Sequence, residues 1–433
     1  MNSLTPISIT GCGAVCGAGL NTDEIWSAIL AGKSAIAPIE QWDAALWPVK
    51  ISAEVRNVDN RVLVEDRKLH KMISRTDMFG LCAANQAVQQ SGLLAHRDTL
   101  ADAARTKFND RTGVFSGSGG GNYRSNYDFY PALTAAAGSL PKFGGEFSQS
   151  VNPMWLLKNL PNNVLCHVGI RYNFKGTNAC VTNQCVGGVL AIAEAAAALR
   201  YDEAERVSVT AHDTPFEPET VAGYHKLGLL AREALRPFDR DRCGTVFGEG
   251  AASVVLEKTS EAKARGATVL GEFLGSGCVT EAAGILDLRP DGDGVSRAIE
   301  LALADAGIAA GEVGMIVAHG NGTRASDASE AAGILRVFGK NAPPVTGFKW
   351  AVGHLIAASG ALDLVLALRA LREKVVPGIA TLSTVDPEFA TLPVSAKPQT
   401  PRSDVALIIC RGFGGMNVAL LVRGAWPSRP QQC

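Results

Sequence analysis

Three side chains of this sequence have the types and surroundings for covalent chemistry on a carbonyl. Cys185 stands immediately before the apolar, alanine-rich run Val186 to Ala195. Two histidines follow far downstream, each beside glycine: His319 in Ala318-His319-Gly320-Asn321-Gly322-Thr323, and His354 closing Lys349-Trp350-Ala351-Val352-Gly353-His354. A thiol that opens a helix faces unpaired backbone N–H groups and the positive end of the macrodipole, which favour the thiolate that attacks carbonyls. A nucleophilic cysteine with two imidazoles fits acyl transfer through a thioester, and it also fits a cysteine hydrolase. Taken singly, each has a plainer explanation: a cysteine before an apolar helix is ordinarily buried filler, and a His-Gly pair is ordinarily a turn. Their joint occurrence, each with glycine alongside, shifts the balance toward chemistry.

Residues so far apart in sequence need a scaffold that brings them together. Apolar runs at Ile7 to Gly11, Gly113 to Gly117 and Val207 to Thr210 read as buried strands, alternating with helix-length segments, which is an α/β pattern. The first part holds a helix over Lys71 to Ser91, the strand at Gly113, the helix after Cys185, and strands at Arg206 and over Ala251 to Leu256. The second part repeats that order, with a helix over Gly294 to Ala306, a strand over Met315 to Ala318, a helix over His354 to Arg372, and strands over Val405 to Cys410 and Val418 to Val422. The pattern divides the chain at 258/259, into 1–258 carrying the cysteine and 259–433 carrying both histidines. Cys185 and His354 then fall at equivalent helix starts, which two similar halves facing one another bring to one cleft. The stretches Asn122 to Leu160 and His212 to Arg242, rich in proline, glycine and aromatics, read as irregular insertions that cap this cleft and carry substrate or dimer contacts.

At 433 residues, 47% hydrophobic and 19% charged, the chain can bury a large core. A formal net charge of -1 supplies no global field for nucleic acid or an anionic membrane. The ten cysteines form no CxxC pair and no zinc-type cluster, so neither a disulfide framework nor a structural metal is expected, and a reducing cytoplasm fits. Met1 to Pro6 lacks a signal-type apolar core, and the apolar stretch from Val405 to Val422 is broken by Arg411 and glycines, so neither end reads as targeting or membrane-spanning. Gly117-Ser118-Gly119-Gly120-Gly121 lacks the register and downstream acid of a dinucleotide site and reads as a close-packed turn.

Further motifs make the pattern specific. Asn183-Gln184-Cys185 enters the cysteine helix, and Arg236-Pro237-Phe238-Asp239 and Gly248-Glu249-Gly250 follow. His319-Gly320-Asn321-Gly322-Thr323 precedes Asp327 and Glu330, and Lys349 through His354 and Gly412-Phe413-Gly414-Gly415-Met416-Asn417 complete the series. In this order, nearly end to end, the chain resembles the β-ketoacyl-[acyl-carrier-protein] synthases of the elongating, synthase II type. The resemblance implies the thiolase fold, a duplicated five-layered α-β-α-β-α sandwich that normally dimerises, and a Cys-His-His set with a supporting lysine: Cys185, His319, His354 and Lys349. His354 stands where initiating synthases carry asparagine, so the resemblance is to the elongating class, and it implies decarboxylation of a malonyl unit. Cys180, in Asn178-Ala179-Cys180, imitates the family's nucleophile motif, but its spacing puts it on the preceding strand.

The same resemblance assigns the remaining roles. Backbone N–H groups of Cys185 and Phe413 would hold an oxyanion, and Phe413, with Gly414 beside it, would gate the second substrate. Thr323 and Asn321 would touch the phosphopantetheine arm, and Glu330 would support a histidine from behind. Asp327 reads as structural. The enzyme itself would need no cofactor or metal, since the arm belongs to an acyl carrier protein that delivers acyl and malonyl thioesters. Lys68, Lys71 and Arg75, read as one helical face, would offer a basic docking patch. Asn183, Gln184, Asn321 and Arg411 depart from the family's usual residues, and polar groups at such positions change which thioester is buried without unsatisfied partners. They point toward a specialised polyketide or polyene role. A non-catalytic chain-length-factor-like subunit of a heterodimer is the alternative; such subunits typically lack the nucleophile that this chain retains.

Overall fold

The computed structural model describes residues 5–120 and 129–425. Its first five long strands are β1 (Ile7–Cys16), β2 (Thr112–Ser118), β3 (Asn178–Thr182), β4 (Arg206–Asp213) and β5 (Gly250–Lys258). A second set comprises β6 (Gly271–Thr280), β7 (Met315–Val317), β8 (Val345–Thr346), β9 (Val405–Gly412) and β10 (Met416–Gly424). Hydrogen bonding orders the first as β3-β2-β4-β5-β1 and the second as β8-β7-β9-β10-β6. In each set the three strands at the outer end are parallel and the remaining pairs antiparallel. The sets join where Ile7 to Ile9 pair with Phe273 to Gly271. One order, used twice, is the duplicated sandwich that the sequence led us to expect.

Five helices complete the layers: α1 (Arg75–Ser91), α2 (Gly187–Arg200), α3 (Asp293–Ala306), α4 (Arg324–Phe338) and α5 (Ser359–Glu373). Helix α1 covers β1 and β5, α3 covers β6 and β10, and α2 and α5 touch each other and strands of both sets. The residues explain this placement. Helix α5 is buried at every position from Ser359 to Leu368, as a helix apolar nearly all round must be. The alanine-rich α2 lets neighbouring backbones approach, and a Cβ on Gly188 would fall 2.4 Å from the Ala357 carbonyl oxygen. Helix α1 begins with a reciprocal Ser74–Asp77 capping box and ends at left-handed Gly92.

Several sequence expectations change in detail. The segment expected to start a helix at His354 instead forms a 3₁₀ turn at Ile356–Ala358 before α5, while the other repeat has a 3₁₀ turn at Gln184–Val186 before α2. Ala357 is therefore the counterpart of Cys185, and His354 lies three residues upstream of it. Lys68 and Lys71 do not share a helical face with Arg75. Lys71 ends a 3₁₀ turn, Leu69–Lys71, separate from α1, and the Arg75 guanidinium is drawn inward by the Glu249 carboxylate at 2.6 Å and the Val55 carbonyl at 2.6 Å. The insertions are more regular than expected, with helices at Tyr130–Ala136, Leu140–Ser150 and Pro218–Lys226, each with proline in its first turn. The expectations for Met1 to Leu4, Gly121 and Asn122 to Asp128 lie outside the described residues. Gly117 does mark a close approach, since a Cβ there would meet Gly188 Cα at 2.5 Å. Among the described residues no helix is long and apolar enough to cross a membrane.

Candidate active site

Strand β3 leads through Asn183 into the 3₁₀ turn that carries Cys185 and then into α2. Gln184 has φ of +42°, a left-handed backbone uncommon for a residue with a Cβ. Its side-chain amide donates to the Gly119 carbonyl at 3.0 Å. The turn aims Cys185 at His354, whose Nε2 lies 3.4 Å from Sγ. Cys185 is 6% exposed. It does open the helix as expected, but the expectation of a favoured thiolate fails: burial, reinforced by Asp213, pushes the thiol up to about 12 against the pull of Lys349.

The two imidazoles sit edge to face, ring centroids 5.2 Å apart. Backbone donors fix both tautomers. The Ile356 N–H donates to His354 Nδ1 at 3.2 Å, with Ser359 Oγ also at 2.9 Å, and the Arg411 N–H donates to His319 Nδ1 at 3.3 Å. A backbone N–H can only donate, so each Nδ1 is an acceptor and each ring's proton resides on Nε2. Burial, with the Lys349 charge second, holds both rings well below the usual histidine range. The site therefore contains two neutral imidazoles that carry their donor proton on Nε2, that of His354 resting against the Cys185 sulfur, and a bound oxygen would accept from them.

Lys349 is fully buried and donates to Asp363 Oδ2 at 3.1 Å. Burial alone would discharge the ammonium, and the Asp363 carboxylate keeps it charged. The lysine thus orients an acidic neighbour and contributes a positive field to the histidines. Glu330 reaches His319 through the main chain: its carboxylate accepts the His319 N–H at 2.6 Å and the Gly320 N–H at 2.9 Å. Asp327 ties down the Phe238 and Gly322 N–H groups. The Arg411 guanidinium, also buried, bonds Glu281, Asn417, Ser329 and the Ser326 carbonyl, which anchors the strand end whose N–H fixes His319.

A cavity of about 230 Å³ is lined by Cys185, His319, His354, Asn321, Thr323 and Phe413. Every residue singled out for direct substrate contact except Gly414 reaches it. Asn321 Oδ1 accepts from both the N–H and the hydroxyl of Thr323, so the two act as one unit on the wall. Gly414 does something else: its N–H donates to the Ile285 carbonyl at 2.7 Å, which holds the loop and removes that N–H as an oxyanion donor. Its φ of +77° with open space around it gives the loop the left-handed freedom that glycine supplies. The Phe413 ring rests on Tyr224, centroids 5.3 Å apart. Tyr224 and Leu227 also line a second cavity of about 330 Å³, which contains Gln184 and Ile356.

Sequence reasoning missed Ser359, Asp363, Asp213 and Ile356. Asp363 left a signal, as the lone acid among apolar residues in Ser359 to Leu368. Asp213 closes the buried strand β4 and accepts the N–H groups of Ala357 and Thr214; burial lifts its carboxyl to about 7. Ser359 and Ile356 carried no signal, because their contribution depends on the turn geometry.

Residues 4–262 match the family model "Beta-ketoacyl synthase, N-terminal domain", and residues 270–383 match "Beta-ketoacyl synthase, C-terminal domain". This chain belongs to the beta-ketoacyl synthase family. It is 31% identical to 3-oxoacyl-[acyl-carrier-protein] synthase 2 of Coxiella burnetii, across 96% of this chain and 98% of that protein. Among solved structures, a beta-ketoacyl synthase from Burkholderia phymatum STM815 superposes with a TM-score of 0.85 at 26% identity, covering 98% of this chain and 100% of that one. The AntDE:AntF complex, a type II PKS acyl-carrier protein with its ketosynthase, gives 0.81 at 24% identity, covering 98% and 100%. At that identity it supports the fold alone.

Proposed function

We propose that this ketosynthase performs decarboxylative Claisen condensation between an acyl group held on Cys185 and a malonyl thioester of an acyl carrier protein, in fatty acid or polyketide synthesis. The observation that carries this reading is the pair of neutral imidazoles with Nε2–H groups directed at one cavity beside the thiol. In the first half-reaction the Cys185 sulfur attacks the acyl thioester carbonyl. A C–S bond forms, and the carrier thiol departs with the proton the cysteine gives up. The backbone N–H groups of Cys185 and Phe413 hold the transient oxyanion. In the second, the malonyl C–C bond to carboxylate breaks, carbon dioxide leaves, and the electron pair becomes an enolate. Its oxygen accepts from His319 and His354, each donor worth about 3 kcal/mol. The enolate carbon then attacks the acyl-Cys185 carbonyl, and the sulfur leaves with the C–S electrons.

Lys349 with Asp363 keeps positive charge beside the developing enolate, and Glu330 positions the His319 main chain. Thr323 and Asn321 meet the phosphopantetheine arm, while Phe413 moves to admit it. Neutral imidazoles that donate through Nε2 suit an enolate oxygen better than they suit activation of water, which favours condensation over a Cys/His hydrolase. An intact nucleophile, both histidines and the lysine argue against a chain-length-factor-like subunit. We assign the 1–258 and 259–433 portions to the two facing repeats and expect a homodimer, or a heterodimer with a chain-length-factor-like subunit. Every described cysteine is free, which suits a reducing cytoplasm.

Incubation with an acyl donor and malonyl carrier protein tests the proposal by mass spectrometry. The expected product is a β-ketoacyl carrier longer by an acetyl unit, with carbon dioxide released in equal amount. Release of free acyl acid without chain extension would overturn it.

A further inference from the structure

Tyr224 stands at the wall of both cavities, and its hydroxyl has no assigned work. The short helix Pro218–Lys226 carries Val221 and Tyr224 three residues apart, on one face, and that face packs into the apolar cluster of Cys185, Ile356 and Phe247. The Tyr224 ring is fixed between two others, its centroid 4.8 Å from that of Phe247 and 5.3 Å from that of Phe413. A tyrosine held in this way ordinarily finds a partner for its O–H. This one has none among the described residues, and its oxygen is not one of the polar atoms sealed in the core: the residue is half-buried and faces open space. Burial first, then Cys185 and Asp213, push the phenol's pKa up, so it keeps its proton and is a donor. The hydroxyl thus lies within electrostatic reach of the sulfur and of the Asp213 carboxylate and bonds neither. The first carbons of an acyl group on that sulfur have to pass beside it.

Resting on the ketosynthase reading above, we propose that Tyr224 determines donor specificity: its hydroxyl donates to a ketone oxygen close to the thioester of the acyl group on Cys185, so that chains still carrying the ketone of an earlier condensation are taken in preference to saturated ones. The condensation itself supplies the ligand. Each round leaves a carbonyl at C3, and a second round without reduction moves that carbonyl to C5. A ketone accepts and a protonated phenol donates, so the two match. A saturated chain covers the hydroxyl and gives it nothing to bond, the loss by which a site built for hydrogen bonding rejects an analogue that lacks the partner. Tyr224→Phe takes away one oxygen atom, keeps both ring contacts, and removes the preference.

The test offers the full chain two pantetheine thioesters in one reaction, octanoyl against 3-oxooctanoyl and then octanoyl against 5-oxooctanoyl, and reads the ratio of the two acyl adducts on Cys185 by intact mass. Competition in one tube makes that ratio independent of how much of a variant is folded. A ketone at C3 also activates its own thioester, so the decisive quantity is the change in ratio between the unsubstituted chain and Tyr224→Phe. For at least one oxo donor the oxo-to-octanoyl ratio should fall about threefold or more in the variant, and Tyr224→Leu, which gives up the ring contacts as well, should show the same fall. Ratios unchanged for both oxo donors overturn the assignment, as does loss of all loading in both variants, which would make the hydroxyl part of the chemistry. Malonyl carrier protein added afterwards separates this claim from condensation. Extension and carbon dioxide release with unchanged ratios sink the specificity assignment alone, and a fallen ratio without extension sinks condensation alone. Failure of every donor to load the unsubstituted chain sinks both.

Discussion

The fold builds the same turn twice and gives it different work. In the first repeat, Gln184 at φ +42° precedes Cys185, and Gly188 follows in α2. In the second, Ile356 at φ +44° precedes Ala357, and Gly360 follows in α5. A β-branched residue in the left-handed region is costly enough to mark a position that the surrounding structure enforces. The two turns pack against each other: a Cβ on Gly188 would strike the Ala357 carbonyl, and one on Gly360 would meet Val189 at 2.4 Å. One turn presents a sulfur. The other presents main-chain donors, with the Ile356 N–H fixing the His354 tautomer and the Ala357 N–H engaging Asp213. The backbone geometry is thus common property of the duplicated fold, and reactivity comes from one side chain placed on one copy.

Substitutions can break that comparison. The largest effect is expected from Cys185→Ala, which should abolish the acyl adduct and lower product formation by at least about a thousandfold; a persistent adduct would move the nucleophile elsewhere. His319→Ala and His354→Ala should each lower condensation about a hundredfold or more while acyl loading falls far less, as single-turnover loading and carbon dioxide release would show. Alkylation of Cys185 by iodoacetamide, followed by peptide mass, should rise about tenfold per pH unit through the neutral range, because only thiolate reacts and the folded thiol is pushed up to about 12. A plateau near neutrality would mean that the helix terminus outweighs burial.

Much of this arrangement was legible in the sequence, and the reasons divide cleanly. Strand runs such as Val405 to Cys410 are buried on both faces and read as continuous apolar segments, so the repeated order showed through. Cys185, His319 and His354 were legible because glycine accompanies each of them. The start of α5 was misplaced because Leu355 to Ala358 is apolar and continues the helical pattern, while the positive φ at Ile356 is imposed by packing that no local residue announces. The thiol's reluctance to ionise was also hidden, since it depends on burial by distant elements and on Asp213. Glu330 was expected behind an imidazole and is found beneath a main chain, a distinction that only coordinates make.

Two smaller effects sharpen the contrast between the turns. Ser359→Ala removes the hydroxyl beside His354 Nδ1 but leaves the Ile356 N–H in place, so condensation should drop only about tenfold or less, with loading little changed. Ala357→Cys in the Cys185→Ala background puts a thiol on the equivalent turn. Because Ala357 lies beside Asp213 and its turn meets His354 only at Nδ1, through the Ile356 N–H, no acyl adduct and no product should appear, and adduct formation there would show that turn geometry alone suffices.

The central claim is that both imidazoles are neutral and carry their proton on Nε2, facing the sulfur's cavity. Nitrogen-15 NMR of the protein labelled at its seven histidines, assigned through the alanine variants, reads tautomer and charge directly. The account predicts that His319 and His354 keep a protonated Nε2 and a bare Nδ1 as the pH is lowered well past the ordinary histidine value of about 6.5. Either ring titrating near that value, or carrying its proton on Nδ1, would contradict it.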